Sequence, residues 1–412
     1  MLGERIREIR KRKKMTLEVL AGKELTKGML SLIENNKAKP SMESLAYIAE
    51  RLGVEIGDLL EEVSTQELRG ILEKAEKLYN VDSETDKYKQ LIGITEPYFE
   101  KLTQGYESAR LLDIYSRSLY HEKMDGWRNI SNRAAKMYDE MNLTAKRANI
   151  GIFWAMEKFV EHDYTESLTI LLRERAEIES NHVYIDPMTR VDLDYHEAIL
   201  HFAVGDSDAA TLVMESAIHF SKEHRIFYRI DDLYRLAVAH ALMTHDEEKK
   251  SHFSKKLKQY GEFAEDMRSM LFHDLFNIMA LIYEKDYVKA LDKIDQYLSD
   301  PKMTEVYEIW FLLEKGKAYY GLRRFNEGLS FLEKVNIPSW VHHPFDFTLL
   351  YVTDSYKALC HFELGNGNEA IKFAKMAVEN YSTLVHTPYQ DFANETYNTI
   401  KAKIEVDLPN GN

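Results

Sequence analysis

The chain has 412 residues, of which 45% are hydrophobic and 30% are charged, and its formal net charge is −14 at pH 7. Its 18 glycines and 8 prolines fall below average usage, which argues against propellers, many-turned sandwiches, collagen-like chains and Pro/Gly-rich disorder and favours long helices. A single cysteine excludes a disulfide framework and a multi-cysteine zinc site. Because the sequence shows neither a signal peptide nor an apolar run long enough to span a membrane, we expect a cytoplasmic protein with no membrane contact.

The charge is unevenly distributed along the chain. Residues 1–40 carry a net +6, so the remaining 372 residues carry −20. A basic N-terminal module on an acidic body is typical of a small DNA-binding domain attached to a larger part. A solvated basic helix is the alternative interpretation of such a charge run.

Residues 1–62 have the pattern of five short helices. Leu2, Ile6 and Ile9 recur at helical spacing, with basic residues between them. Residues that favour N-caps then precede the next helices. The predicted helices are 17–23 after Thr16, 27–35 after Thr26, 42–52 between Ser41 and Gly53, and 56–61.

This stretch resembles the helix-turn-helix of the Xre/lambda-repressor class. The resemblance is carried by the segments GERIR (3–7), LA (20–21), IE (33–34), PS (40–41) and LGV (52–54) at nearly fixed spacing. It implies an ion pair between Arg10 and Glu34 that joins the first and third helices. Two departures are Leu17, where a polar residue is usual, and the 22–25 turn, which we expect to be one residue short and to lack the usual glycine.

A recognition helix in the major groove presents its N-terminal outward side chains to base edges, and flanking cations contact phosphates. We therefore expect double-stranded DNA as a partner. Because one module of this size binds weakly, we expect a homodimer or higher homo-oligomer on a palindromic operator. The predicted DNA-binding residues are Thr26, Lys27, Gly28, Ser31, Leu32, Asn35, Asn36, Lys37, Arg12 and Lys14.

The region after residue 62 predicts a helical repeat array. Small or apolar residues recur there every 38–43 positions, and no proline lies between Pro187 and Pro301. The recurring residues are Ala155, Ala198, Ala237, Ile278, Gly316 and Ala358. The segments around them resemble degenerate tetratricopeptide (TPR) repeats. The predicted fold is therefore all-α: a five-helix helix-turn-helix domain followed by a right-handed TPR-like α-solenoid.

Three segments are predicted after the first domain. Residues 63–145 are predicted to form four or more helices (around 65–78, 86–99, 108–122 and 127–141), either atypical capping repeats or a separate bundle. Residues 146–405 are the degenerate repeats, whose first helices line a peptide-binding groove. Residues 406–412 are a polar tail.

Helical grooves of this kind bind extended or helical peptides through polar side chains and aromatic walls. Each candidate also has a plainer interpretation, as an exposed polar residue or a packing aromatic. The predicted peptide-binding residues are Asn149, Asp192, Tyr195, Asp231, Tyr234, Asn277, Trp310, Lys317 and Tyr320.

The sequence offers no catalytic constellation. His196 and His201 superficially suggest a zinc motif, but residues five apart lie about 140° apart on a helix and cannot share one metal. Phosphate-binding, dinucleotide-binding and nucleophile-elbow motifs are missing from the sequence. We expect no enzyme activity, no cofactor and no metal.

The order of these parts resembles the RNPP family of peptide-pheromone receptors (Rap, NprR, PlcR and PrgX), and by length the NprR type most. The resemblance implies a quorum-sensing transcription regulator that binds an imported signalling peptide in its TPR groove, which alters its oligomer state and DNA binding. It also implies that groove asparagines hold the peptide backbone. Two alternatives stay open: a Rap-like switch that binds a response regulator, with phosphatase or sequestration activity, and a peptide-independent regulator.

Overall fold

We describe the protein from a computed structural model, which covers residues 2–60, 65–81, 85–299 and 305–407. This part of the chain is helical and contains no strand, as the sequence predicts. The predicted end of the fifth helix at Glu61, the 62/63 domain boundary and residues 408–412 of the tail lie outside the described residues. The chain forms two compact units, Met1–Ile150 with Asn181–Val183, and Gly151–Ser180 with Tyr184–Asn412.

Five helices open the first unit, at the predicted places. They are α1 (Leu2–Arg12), α2 (Leu17–Ala21), α3 (Lys27–Glu34), α4 (Met42–Leu52) and α5 (Ile56–Leu60). The Thr16, Thr26 and Ser41 hydroxyls accept hydrogen bonds from the first-turn amides of α2, α3 and α4, so all three predicted N-caps are confirmed. Gly53 ends α4 in the left-handed conformation.

The turn between α2 and α3 differs from the expectation. Helix α2 ends at Ala21, and Gly22 adopts φ +60° and ψ −133°, a region open almost only to glycine. A Cβ at Gly22 would lie 2.2 Å from the Tyr47 hydroxyl, which accepts a hydrogen bond from the Lys23 amide. The expectation that this turn lacks its glycine is therefore wrong, because Gly22 supplies both the backbone conformation and the close approach to α4.

The N-terminus of α1 packs directly on the end of α3. The Gly3 amide donates to Asn36 Oδ1 at 2.9 Å, and a Cβ on Gly3 would lie 1.9 Å from the Ile33 carbonyl oxygen. No side chain fits between these backbones. Gly3 is thus a structural residue of the domain rather than a tolerant helix start.

Gly3→Ala should destabilise the N-terminal domain by about 1–3 kcal/mol, because the added methyl group forces α1 away from α3. Hydrogen exchange of the α1 and α3 amides measures this loss. Gly57→Ala is the matched control, since a Cβ at Gly57 meets nothing within 4 Å. Equal protection of α1 in both variants would contradict the close packing.

The rest of the first unit contains the four predicted helices. They are α6 (Thr65–Tyr79), α7 (Lys87–Thr95) with a 3₁₀ turn over Glu96–Lys101, α8 (Gly105–His121) and α9 (Trp127–Glu140). Helix α8 packs on α6, α7 and α9. Its Asp113, 1% exposed, accepts from Arg110 Nη1 at 2.8 Å and Arg117 Nε at 2.7 Å, so its buried charge is compensated.

From residue 144 onward, the described residues form six helix pairs and a final helix. They are α10 (Thr144–Val160), α11 (Tyr164–Asn181), α12 (Pro187–Val204), α13 (Ser207–His224), α14 (Ile230–Met243), α15 (Glu247–Ala264), α16 (Met267–Tyr283), α17 (Tyr287–Leu298), α18 (Glu305–Gly321), α19 (Phe325–Leu332), α20 (Pro344–Glu363), α21 (Gly367–Tyr381) and α22 (Pro388–Asp407). From α12 onward, the first helix of each pair contacts its own second helix and also the first helix of the next pair. This packing on sequence neighbours is typical of a helical repeat array. The segment before α20 also contacts earlier repeats, since the His342 carbonyl accepts from the Tyr164 hydroxyl at 2.7 Å.

The repeat register predicted from small residues is confirmed. Each of the six recurring residues falls in a first helix (α10, α12, α14, α16, α18 or α20), and the five that have side chains are nearly fully buried. At the glycine, Gly316, an added Cβ would lie 2.5 Å from Leu332 Cδ2 of α19. At Gly316 a small residue therefore allows the two helices of a pair to approach closely. None of the described helices is long and apolar enough to cross a membrane.

Candidate nucleic-acid interface and ligand cavity

Helix α3 has a buried face and a solvent face. Leu30, Ile33 and Glu34 are buried against the domain core. The opposite face consists of predicted DNA-binding residues: Lys27, Gly28, Leu32 and Asn35 are exposed, Ser31 is half-buried, and the exposed Thr26 caps the helix. A Cβ added at Gly28 would meet only Thr26 Oγ1, at 4.0 Å, so this side of the start of α3 is open to a ligand.

The flanking predicted residues are also exposed. Arg12, Lys14 and Lys37 lie at the surface near the ends of α1 and α3. The side chains of Asn35 and Asn36 also make hydrogen bonds within the domain. Asn35 Nδ2 donates to the Ser31 carbonyl at 2.7 Å, and Asn36 Oδ1 accepts from the Gly3 amide. All ten predicted residues are therefore at least partly exposed, and four of them, Lys27, Lys37, Arg12 and Lys14, are basic.

The ion pair predicted inside this domain is confirmed. Arg10 Nε donates to Glu34 Oε1 at 2.6 Å and Arg10 Nη2 donates to Glu34 Oε2 at 2.8 Å. Arg10 Nη1 also donates to the Met15 carbonyl at 2.8 Å. This bidentate pair fixes α1 against the C-terminal end of α3 and thereby orients the exposed face.

The second unit contains a cavity of about 660 Å³. It is lined by the end of α10 and by α12, α14, α16, α18 and α20, with loop residues before α20 and α22. Its walls are mainly apolar, including Phe159, Phe202, Phe272, Phe276, Trp310 and Trp340. Volume and lining are typical of a ligand site.

One carboxylate on the cavity wall holds three arginines. Asp232, 6% exposed, accepts from Arg229 Nη1 at 3.0 Å, Arg235 Nη2 at 2.8 Å and Arg268 Nη2 at 3.3 Å. The Arg235 guanidinium also lies 4.8 Å from the centre of the Phe272 ring. Since Arg229 has a second partner in Asp192, at 2.8 Å, the surplus positive charge of this wall lies on Arg235 and Arg268.

A second acidic residue, Asp346, lies on the cavity wall in the first turn of α20. No hydrogen bond or ion pair within 4 Å joins it to another described residue. Burial raises the pKa of Asp346 to about 6, and the nearby Arg235 charge opposes this rise.

His343 supplies the N-cap of α20 beside Asp346. Its Nδ1 accepts from the Phe345 amide at 3.0 Å, and its Nε2 lies 3.2 Å from the Ile199 carbonyl. These partners assign the tautomer protonated on Nε2. Because burial lowers the pKa of His343 to about 4, the ring is neutral at pH 7.

Residues 3–64 match the family described as "Helix-turn-helix domain". They are a helix-turn-helix domain. No curated protein matches the chain.

Similar solved structures include PlcR of Bacillus thuringiensis in complex with the peptide PapR7 and DNA (16% identity, 67% of this chain and 98% of that chain, TM-score 0.34). Another is the SHP pheromone receptor Rgg2 of Streptococcus dysgalactiae (15% identity, 67% of this chain and 99% of that chain, TM-score 0.33). A third is the TPR domain of P58(IPK) (12% identity, 83% of this chain and 99% of that chain, TM-score 0.28). These are distant likenesses.

Within the helix-turn-helix domain, the base-reading candidate Lys27 is not a free cation. Its ammonium group donates to the Glu18 carboxylate of α2, and this bond lowers the pKa of Glu18. Both side chains are more than half exposed. Solvent-exposed pairs of this kind are weak, so DNA can displace Glu18 from Lys27.

Glu18→Gln should tighten binding to a random-sequence DNA duplex several-fold and steepen its salt dependence by about one unit in log K against log salt. The substitution removes a negative charge from the α3 surface and releases Lys27. Lys27→Gln is the reciprocal change and should flatten the slope by a similar amount. Salt titrations of fluorescence anisotropy measure both, and unchanged slopes would remove Lys27 from the interface.

The predicted peptide-binding residues occupy several different environments. Tyr195 and Trp310 line the cavity, and Asp192 binds Arg229 behind its wall. Asn149 belongs to the first unit, where its Oδ1 accepts from Arg117 Nη2 at 2.7 Å. The others lie elsewhere: half-buried Asp231, buried Tyr234, Asn277 bonded to His273, Lys317 paired with buried Glu314, and Tyr320 packed on Phe325 and Tyr356.

Sequence reasoning missed the charged cavity residues Arg235, Arg268 and Asp346. On α14 the predicted cavity-facing position is wrong by one residue, since Asp232 rather than the predicted Asp231 lines the cavity. One position is about 100° around a helix, enough to move a side chain from one wall to another. The neighbouring aspartates were the available signal, but only packing shows which of them faces inward.

Asp346→Asn should stabilise the second unit at pH 7 and have little effect near pH 3.5. The carboxyl keeps its proton in the folded state up to about pH 6, above its usual 3.8, so this group's contribution to stability falls as pH rises through that window. The lowered pKa of His343 makes its own contribution to stability rise with pH between about pH 4 and 6.5. The quantity to compare at each pH is therefore the difference in Tm between variant and parent, in which the His343 contribution cancels. A difference independent of pH would contradict the raised pKa.

Proposed function

We propose that the chain is a transcription regulator whose DNA binding responds to a short peptide held in the cavity of its second unit. One observation carries the proposal: a helix-turn-helix domain with an exposed basic α3 surface is joined to a repeat unit whose first helices enclose a large, mainly apolar cavity. Double-stranded DNA is the proposed partner of the first part. An imported signalling peptide is the proposed ligand of the second, bound in the cytoplasm.

The cavity lining supports a peptide rather than a polar metabolite. Aromatic and aliphatic walls favour large apolar side chains, while the Arg235–Arg268 wall and Asp346 offer opposite charges to a ligand that carries both. Repeat helices present such surfaces to peptides in general.

Binding changes the packing of the repeats in this proposal, because the cavity touches six successive first helices. A ligand that bridges them favours whichever helix spacing gives the better contacts. A preference of ~100-fold for one arrangement supplies about 2.7 kcal/mol, enough to change DNA affinity markedly. The proposed mechanism is binding without catalysis, as in a receptor of the RNPP kind and nearest in length to the NprR type.

The domain is proposed to bind DNA as a homodimer or higher oligomer. A single helix-turn-helix reads one half-site, and dimers bind two half-sites about one helical turn apart. A palindromic operator follows from this arrangement.

Genomic DNA fragments selected on the full chain, followed by titration with and without pooled synthetic peptides, test the proposal. We expect enrichment of a palindrome and an affinity for it that changes when peptide is added. The control is Ser31→Glu, which places a negative charge on the α3 surface and should abolish enrichment. Failure to enrich any sequence under either condition would overturn the regulator, and an affinity indifferent to every pool would overturn the peptide response.

A further inference from the structure

We propose that Asp346 selects ligands carrying a positive charge: a lysine or arginine side chain, or a free N-terminal ammonium. The inference rests on the proposed peptide-binding function and specifies its ligand. Asp346 lies on the cavity wall among Pro344, Phe345 and Leu349, so a cation beside it would be removed from bulk water. In such surroundings a paired charge discriminates strongly against an uncharged competitor.

The position of Asp346 in its own helix does not explain its presence. A carboxylate in the first turn is favourable for a helix, but the capping of α20 is performed by His343, whose Nδ1 accepts the Phe345 amide. Asp346 itself accepts no hydrogen bond from a described residue. Its carboxylate oxygens are therefore available to a group that enters the cavity.

Two other aspartates of the same unit have hydrogen-bond and charge partners, as is usual for structural carboxylates. Asp232 is bound by three guanidinium groups. Asp354, two turns further along α20, accepts from Asn380 Nδ2 at 3.2 Å and lies 3.7 Å from Lys357 Nζ. Asp346 differs from both because it faces the cavity without such a partner. Asp346 is half-buried, and a carboxylate partly withdrawn from water without a partner costs stability, which is typical of a group kept for binding.

The neighbouring charges restrict where the cation can sit. Arg268, which is about half exposed, repels a positive group from the α16 wall. Arg235 lies near enough to Asp346 to affect its pKa, but its guanidinium is bound to Asp232. His343 is neutral and adds no competing charge. A cationic ligand is thus directed to the α20 side, while an acidic group or C-terminal carboxylate is directed to the arginines.

The test uses positional-scanning pools of synthetic hexapeptides, N-acetylated and C-amidated, in which one position is fixed as Lys, norleucine or Glu. Binding to the full chain is read from the fluorescence of Trp310 and Trp340, which both line the cavity. At one position, the Lys pool should bind about 30-fold or more tightly than the norleucine pool. Matched pools with a free N-terminus show whether the terminal ammonium replaces the side chain.

Three variants complete the experiment. Asp346→Asn should remove the Lys preference but keep norleucine binding, which shows that the cavity is intact. Asp346→Lys should favour the Glu pool instead. Asp208→Asn, which removes an exposed first-turn acid of α13 outside the cavity, should behave as the parent.

The outcomes separate the two proposals. If pools bind without a Lys, Arg or N-terminal preference, or if Asp346→Asn retains that preference, the role of Asp346 is overturned and peptide binding stands. If no pool binds the parent chain, peptide binding itself is overturned, and the inference with it.

Discussion

Glu34→Ala should destabilise the helix-turn-helix domain by about 3–5 kcal/mol, since it leaves the Arg10 guanidinium buried without its partner. Arg10 is 9% exposed and Glu34 is 3% exposed, and two hydrogen bonds join them. DNA binding should be lost together with the fold, because this pair holds α1 against the helix that carries the exposed surface.

The measurement must resolve one domain within a larger chain. Because the chain forms two units, a single unfolding free energy is not well defined, and hydrogen exchange of α1–α5 is the suitable readout. The double variant Arg10→Met/Glu34→Leu should regain much of the protection, as apolar replacement of both partners often does. Unchanged exchange in Glu34→Ala would show that the pair contributes little.

The N-terminal domain was predictable because its determinants are local. Thr16, Thr26 and Ser41 are residues that favour N-caps, so they predict where helices begin. Each hydroxyl accepts a hydrogen bond from the amide three residues later. The roles of Gly3 and Gly22 were not predictable in this way. Both depend on a second backbone or side chain (Ile33 and Tyr47) brought close by the fold.

The repeat register was predictable and the cavity was not. Close helix contacts demand small residues, so Ala198, Ala237 and Gly316 reveal the period directly. Which side chains face the cavity depends on the rotation of each helix about its axis, and the repeat period carries no information about that rotation. Trp340 lies in the loop before α20, where no periodicity applies, and Asp346 lies in the first turn of α20, outside the pattern of small residues.

Ala239→Trp should abolish the peptide response by filling the cavity from within. Ala239 is 7% exposed and faces the cavity from α14, in the sequence between Leu236 and Met243, which also line it. An indole at this position occupies space that a ligand side chain needs. Peptide affinity should fall by 100-fold or more, a loss of about 2.7 kcal/mol.

Ala209→Trp is the control for that variant, because Ala209 is half-buried on α13 and does not line the cavity. It adds the same side chain but should leave the peptide response as in the parent. Titrating peptide into each variant on operator DNA distinguishes the outcomes. If Ala239→Trp still changes its DNA affinity at the parent's peptide concentration, the peptide binds somewhere other than this cavity, and the helices that enclose it are not the receptor surface.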